Sequence, residues 1–210
     1  MTTSEQSRTI AVVSAGLSQP SSTRLLADRL ADAAVRELED LGQVARVENV
    51  ELRDLAHPVV DAMLTGFPSG DLARAQEAVT GADGIIAVTP VFTSSFSGLF
   101  KSFWDIIDPE ALGGVPVLLG ATGGTARHSL ALEYAVRPLF TYLHADVVPT
   151  SVFAATDDWA ASAADVGAGL PRRIERAGRE LARRVAQRQG DGPADPFASS
   201  PSFTELLGGS

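Results

Sequence analysis

The chain has 210 residues, 45% hydrophobic and 20% charged, values that suit one globular domain able to bury a core. A formal net charge of −9 argues against nucleic acid or an anionic membrane as the main partner. Cysteine is absent, which excludes disulfides, thiolate catalysis and cysteine-ligated metals; no apolar run reaches the ~18 residues of a membrane span, and Met1–Ile10 lacks a basic-then-apolar leader, so a cytoplasmic location is expected.

In chain order, Thr9–Ala15 is the first of four short, nearly continuous Val/Ile-rich runs, the pattern of strands covered on both faces. A helix is predicted over Pro20–Leu41, with Leu26, Leu30, Ala34, Leu38 and Leu41 at spacings of three and four and Gly42 behind it. Gln43–Leu52 alternates more and belongs nearer a sheet edge, and Asp71–Val79 forms a shorter helix. The second buried strand, Gly84–Thr89, leads through a loop of small hydroxyl residues into a helix over Ser97–Ile107, more apolar than one packing face requires. Val115–Ala121 is the third such strand, followed by a helix over Arg127–Leu143 that Pro138 should kink or shorten. Asp146–Ala154 completes the buried strands, and a helix over Pro171–Gln187 carries its arginines on a solvated face. Residues 1–187 are thus one α/β domain, and 188–210, rich in Gly, Pro, Ser and Asp, should be a flexible C-terminal tail.

Strands alternating with helices imply a parallel sheet with helices on both faces and right-handed crossovers. Five strands suit the flavodoxin-like doubly wound order 2-1-3-4-5; the alternative, a six-stranded dinucleotide fold, lacks its G-x-G-x-x-G after the first strand. In such a sheet ligands bind beyond the carboxyl ends of the strands, where three loops of unusual composition fall. Ser14–Leu26 places Ser18, Ser21, Ser22 and Thr23 at a helix start, where free N–H groups and the helix dipole favour a phosphate, with Arg24 as a further donor. No G-x-x-x-x-G-K-[ST] pattern is present, which disfavours a nucleoside triphosphate. Thr89–Ser95 keeps its tip small, so that backbone can approach a flat ligand. Gly120–Leu130 contains Gly123 and Gly124, which permit close approach and positive φ. One phosphate loop and two loops for a planar ring make a coherent site for FMN. His57 and His144 have no partners at metal-ligand spacing, so no metal is expected, and no G-x-S-x-G surrounds the loop serines.

These loops resemble those of the NADPH-dependent FMN reductases of the flavodoxin-like superfamily, over roughly Ile10–Trp159. The resemblance is greatest to the actinobacterial type that supplies reduced flavin to luciferase-like monooxygenases. The family's first loop usually reads G-S-x-R-x-x-S-x-x-R/T; "AGLSQPSSTR" keeps Ser21 and Arg24 but has Gly16 and Ser18 where Ser and Arg are usual. The second usually reads T-P-x-Y-N-x-S-x-P-G-x-L-K-N; "TPVFTSSFSGLFKS" keeps Thr89, Pro90, Ser95, Gly98 and Lys101, with Phe92 and Thr93 replacing Tyr and Asn. The third, "ATGGTARHS", matches the actinobacterial type.

The cofactor-binding residues expected are Ser14, Leu17, Ser18, Ser21, Ser22 and Thr23 from the first loop and Thr89, Pro90, Val91, Phe92, Thr93 and Ser94 from the second. Thr122, Gly123, Gly124 and Thr125 come from the third, where backbone N–H groups would stabilise charge at the N1–C2=O end of the reduced ring. The resemblance puts His128 near the flavin or its nicotinamide partner, while its place at a helix start equally suits a plain polar role. It further implies hydride transfer from NADPH or NADH to FMN, no protein acid–base residue, a monooxygenase as partner, and a homodimer or homotetramer. An azo- or quinone reductase of the same fold and a flavodoxin-type electron carrier are the alternatives.

Overall fold

In the computed structural model, which describes residues 7–160 and 169–188, β1 (Ser7–Ser14) is an inner strand of a mainly parallel sheet. It pairs with β2 (Val44–Glu51) on one side and β3 (Gly84–Phe92) on the other. β3 then pairs with β5 (Pro116–Gly123), and β5 with both β6 (Asp146–Val147) and β7 (Val152–Ala155). β4 (Ser95–Phe96) folds back antiparallel on the end of β3. The sheet therefore has seven strands in the order β2-β1-β3-β5-β6, with β4 and β7 off that path, and not five in the order 2-1-3-4-5.

Both departures have local causes. The run 146–154 is interrupted at Pro149, which has no N–H to give a ladder. Side chains satisfy the broken stretch instead. Arg137 donates to the carbonyls of Val148 and Pro149 at 3.1 and 3.2 Å, and Thr150 N–H donates to Glu180 Oε2 at 2.8 Å. β4 exists because β3 continues past Thr89 and reverses in two residues.

Alternation along the strands divides the core into two. Ile10, Val12, Ile86, Val88 and Leu118 face α1 (Ser22–Asp40) and α7 (Leu170–Gln187). The two helices approach closely: a Cβ on Gly178 would lie 2.7 Å from Ala33 Cβ. Ala11, Val13, Ile85, Ala87 and Leu119 face the other side, which holds α2 (Ala56–Thr65), α3 (Gly70–Thr80), α4 (Gly98–Asp105) and α5 (Arg137–Tyr142). α2 has no counterpart among the expected elements. Its sequence, "AHPVVDAMLT", carries a Pro in its first turn and buries only Val59 and Ala62, too narrow a stripe to stand out. The surplus apolar character of α4 is absorbed within the chain, where Phe100, Phe103 and Trp104 stack edge-on in a buried cluster with Phe140. The region 127–143 divides at its proline into a 3₁₀ turn, a π-helical turn over Leu132–Val136 and α5, with Pro138 in the first turn of α5. The expected tail lies outside the described residues from 189 onward. Among the described residues no helix is long and apolar enough to cross a membrane.

Candidate active site

The carboxyl ends of β1, β3, β5 and β7 surround a cleft of about 530 Å³. From the first loop it is lined by Leu17, Ser18, Ser22 and Thr23, all at or just before the start of α1. Ser21 is the N-cap: its Oγ accepts the Arg24 N–H at 3.2 Å, so this hydroxyl is engaged by the helix. That also explains Gly16, since a Cβ there would stand 2.0 Å from Ser21 Oγ. Arg24 is turned away from any phosphate role. Its Nε donates to Asp28 at 2.6 Å and a terminal nitrogen pairs with Glu51. Burial works against its charged form, but the hydrogen bonds to Asp28 and Glu51 hold its pKa raised.

The residues present fit a phosphate at this end. α1 has no acidic residue in its first turn to offset the positive end of its dipole. Ser14, at the end of β1 on the α1 side by alternation with Ile10 and Val12, is fully buried, and its Oγ has no hydrogen-bond partner in the protein. A buried hydroxyl without a partner is costly, and Ser14 lies behind the cleft and not in its lining.

The second loop is a hairpin. β3 runs on through Pro90, Val91 and Phe92, which line the cleft, and pairs Val91 with Phe96 and Phe92 with Ser95. Thr93 and Ser94 form its two-residue tip at φ 48° and 67°, the left-handed geometry of a type I′ turn, for which Asn-Gly is the usual choice. A β-branched residue there is strained, and neither tip side chain lines the cleft. The tip was expected to present backbone to a ring; the cleft is lined by the preceding strand residues Pro90, Val91 and Phe92. Thr89 is fully buried beneath them. Its Oγ1 donates to Pro90 O at 3.0 Å and accepts Ser97 N–H at 3.1 Å, locking the hairpin base to the start of α4.

From the third loop, Thr122, Gly123 and Gly124 line the cleft. Neither glycine uses the positive φ open to it. Gly123 is needed for room, because a Cβ there would lie 2.9 Å from the Phe153 ring. Thr122 Oγ1 and Thr23 Oγ1 share a buried 2.8 Å hydrogen bond that joins the first and third loops. Thr125 caps a short 3₁₀ turn that ends at the half-buried His128, and neither residue lines the cleft.

Three lining residues have no place in the sequence reading: Ala154, Thr156 and Trp159, on β7 and α6 (Thr156–Ala160). The rule that ligands gather at strand carboxyl ends applies to the last strand as well and points to this segment, though not to Trp159 itself.

Residues 8–160 match the family model of NADPH-dependent FMN reductases. The chain is 34% identical over 152 residues to an FMN reductase (NADPH) of Pseudomonas aeruginosa, covering 71% of this chain and 78% of that one. It is 34% identical over 173 residues to the NADH-dependent FMN reductase SfnE of Pseudomonas putida, covering 80% and 89%. A solved oxidoreductase from Corynebacterium diphtheriae is similar at a TM-score of 0.82 and 43% identity, over 87% of this chain and 98% of that one. With this match spanning the three cleft-forming loops, the chain belongs to the NADPH-dependent FMN reductase family.

Proposed function

We propose that this NAD(P)H:FMN oxidoreductase holds FMN in the cleft with its phosphate at the start of α1, and releases the reduced flavin to a separate flavin-dependent monooxygenase. The observation that carries the placement is the convergence of the α1 start, with Ser18, Ser22 and Thr23, and the end of β5 at Thr122–Gly124 on one cleft. When bound, FMN would supply the redox chemistry, as the acceptor of a hydride from NADPH or NADH.

The chain's own residues bind and orient. Ser18 and Ser22 offer hydroxyls to the phosphate. Pro90, Val91 and Phe92 give the ring a flat, largely apolar edge. Backbone N–H groups of Thr122, Gly123 and Gly124 would donate to the carbonyl end of the ring, holding negative charge as it develops. Phe92 and Leu17, each 47% exposed, stand at the rim, and no Tyr or Trp of the two ring loops covers the mouth. That openness suits docking of a nicotinamide and departure of the product, where an electron carrier would enclose its flavin. Self-association into a homodimer or homotetramer is supported by Leu64 and Phe67, 82% and 80% exposed near the end of α2, with Met63 beside them.

Anaerobic stopped-flow with FMN and each nicotinamide tests this reading. Reduced flavin should be released and captured by a separate acceptor protein. Reduced flavin that stays bound through turnover points instead to an azo- or quinone reductase or a carrier.

A further inference from the structure

We infer that Trp159 sets the length of flavin the cleft accepts, favouring a mononucleotide by walling the end where a dinucleotide would continue. This rests on the placement of the flavin phosphate at the start of α1.

FMN and FAD share the ring and the ribityl chain, so the hairpin and the Gly123 turn meet the same atoms in both. The two diverge only past the first phosphate, where FAD carries a second phosphate and adenosine. A residue that separates them has to stand at that end. Trp159 is the largest side chain lining the cleft that Ser18 and Ser22 also line, and its ring lies against Arg29 of α1, the helix whose start would hold the phosphate.

The indole is also held in place. Arg29, about two turns into α1 from Ser22, sets its guanidinium carbon 5.0 Å from the ring centre, within cation–π range. Asp158, the preceding residue, accepts the Ala155 N–H at 2.8 Å and pairs with Arg173 of α7 at 2.6 Å. Arg173 donates in turn to Phe153 O at 2.8 Å. Trp159 itself packs against the apolar core under α1 and α7. A five-residue helix is thus tied to α1, α7 and β7, and its one large side chain stands as a fixed wall. Removing the indole opens that end and frees the Arg29 guanidinium to meet a second phosphate.

Wild type, Trp159→Ala and Trp159→Phe are titrated calorimetrically with FMN, FAD and riboflavin. The wild type should prefer FMN to FAD, and Trp159→Ala should narrow that ratio by at least about tenfold through a gain in FAD affinity. Trp159→Phe, which keeps an aromatic wall, should hold the ratio within about threefold. An unchanged ratio in Trp159→Ala, or one narrowed only by weaker FMN binding, overturns the inference while leaving the phosphate placement intact. Equal wild-type affinity for FMN and riboflavin overturns the placement and the inference together.

Discussion

Thr23 and Thr122 meet through a 2.8 Å hydrogen bond with both side chains buried, so one hydroxyl pair couples the first turn of α1 to the end of β5. Replacing Thr122 by Val removes one partner and leaves the Thr23 hydroxyl unsatisfied, at a cost of about 1–3 kcal/mol. Replacing both by Val removes the stranded group and should recover much of that loss. Urea denaturation of the two single variants and the double variant measures the coupling; single-variant losses that simply add would show that the pair is not coupled.

The hairpin tip stores strain that can be relieved. Thr93 and Ser94 sit at φ 48° and 67°, and Asn-Gly suits this turn far better. The Thr93→Asn/Ser94→Gly variant should be more stable by about 1–2 kcal/mol in thermal unfolding of the apoprotein. FMN affinity should hold, because neither side chain lines the cleft. A loss of affinity with the stability gain would mean that the tip side chains touch the ring.

Gly16 and Ser21 form a second coupled pair, since a Cβ at Gly16 would stand 2.0 Å from the capping oxygen. Gly16→Ala should push Ser21 off the α1 N–H groups and cost about 1 kcal/mol or more in stability. Adding Ser21→Gly removes the clash and leaves a tolerable cap, so the double variant should be more stable than Gly16→Ala alone. Chemical denaturation of both variants decides; a double variant no better than the single one would place the strain elsewhere.

The break between β6 and β7 depends on two carboxylates. Glu133 has a lowered pKa through its hydrogen bonds from Arg137, with Ser151 adding and burial opposing. For Glu180 burial raises the pKa, but hydrogen bonds from the Thr150 hydroxyl and amide and from Arg176 outweigh it, and the net shift is downward. Folded-state pKa values below the unfolded ones mean stability that is present above the ordinary glutamate pKa of about 4.3 and lost as pH falls through the lower folded values. The melting-temperature advantage of wild type over Glu180→Gln should therefore hold from about pH 5 to 8 and shrink below about pH 4. An advantage that is flat down to pH 3 would remove Glu180 from this role.

The central strands and the cleft-forming loops were legible because their signals are local. Continuous Val and Ile runs report burial on both faces, and hydroxyl clusters at a helix start report unpaired N–H groups. What escaped depends on contacts distant in sequence. The split of the last strand needs Arg137 and Glu180 to satisfy the backbone around Pro149. The use of Arg24 against Glu51 depends on the pairing of β1 with β2. Trp159 sits behind a Thr-Asp-Asp stretch that carries no ligand signature, and only the sheet order brings it beside Ser22. The hairpin was hidden for a different reason, since Thr-Ser is a poor sequence for the turn it makes.

The phosphate placement is tested most directly by titrating wild type and Ser22→Ala with FMN and riboflavin. The wild type should bind FMN at least about tenfold more tightly than riboflavin, and Ser22→Ala should lose about 1–3 kcal/mol of FMN affinity with riboflavin affinity unchanged. Equal wild-type affinity for the two flavins, or an equal loss for both in Ser22→Ala, would mean that the start of α1 does not hold the phosphate.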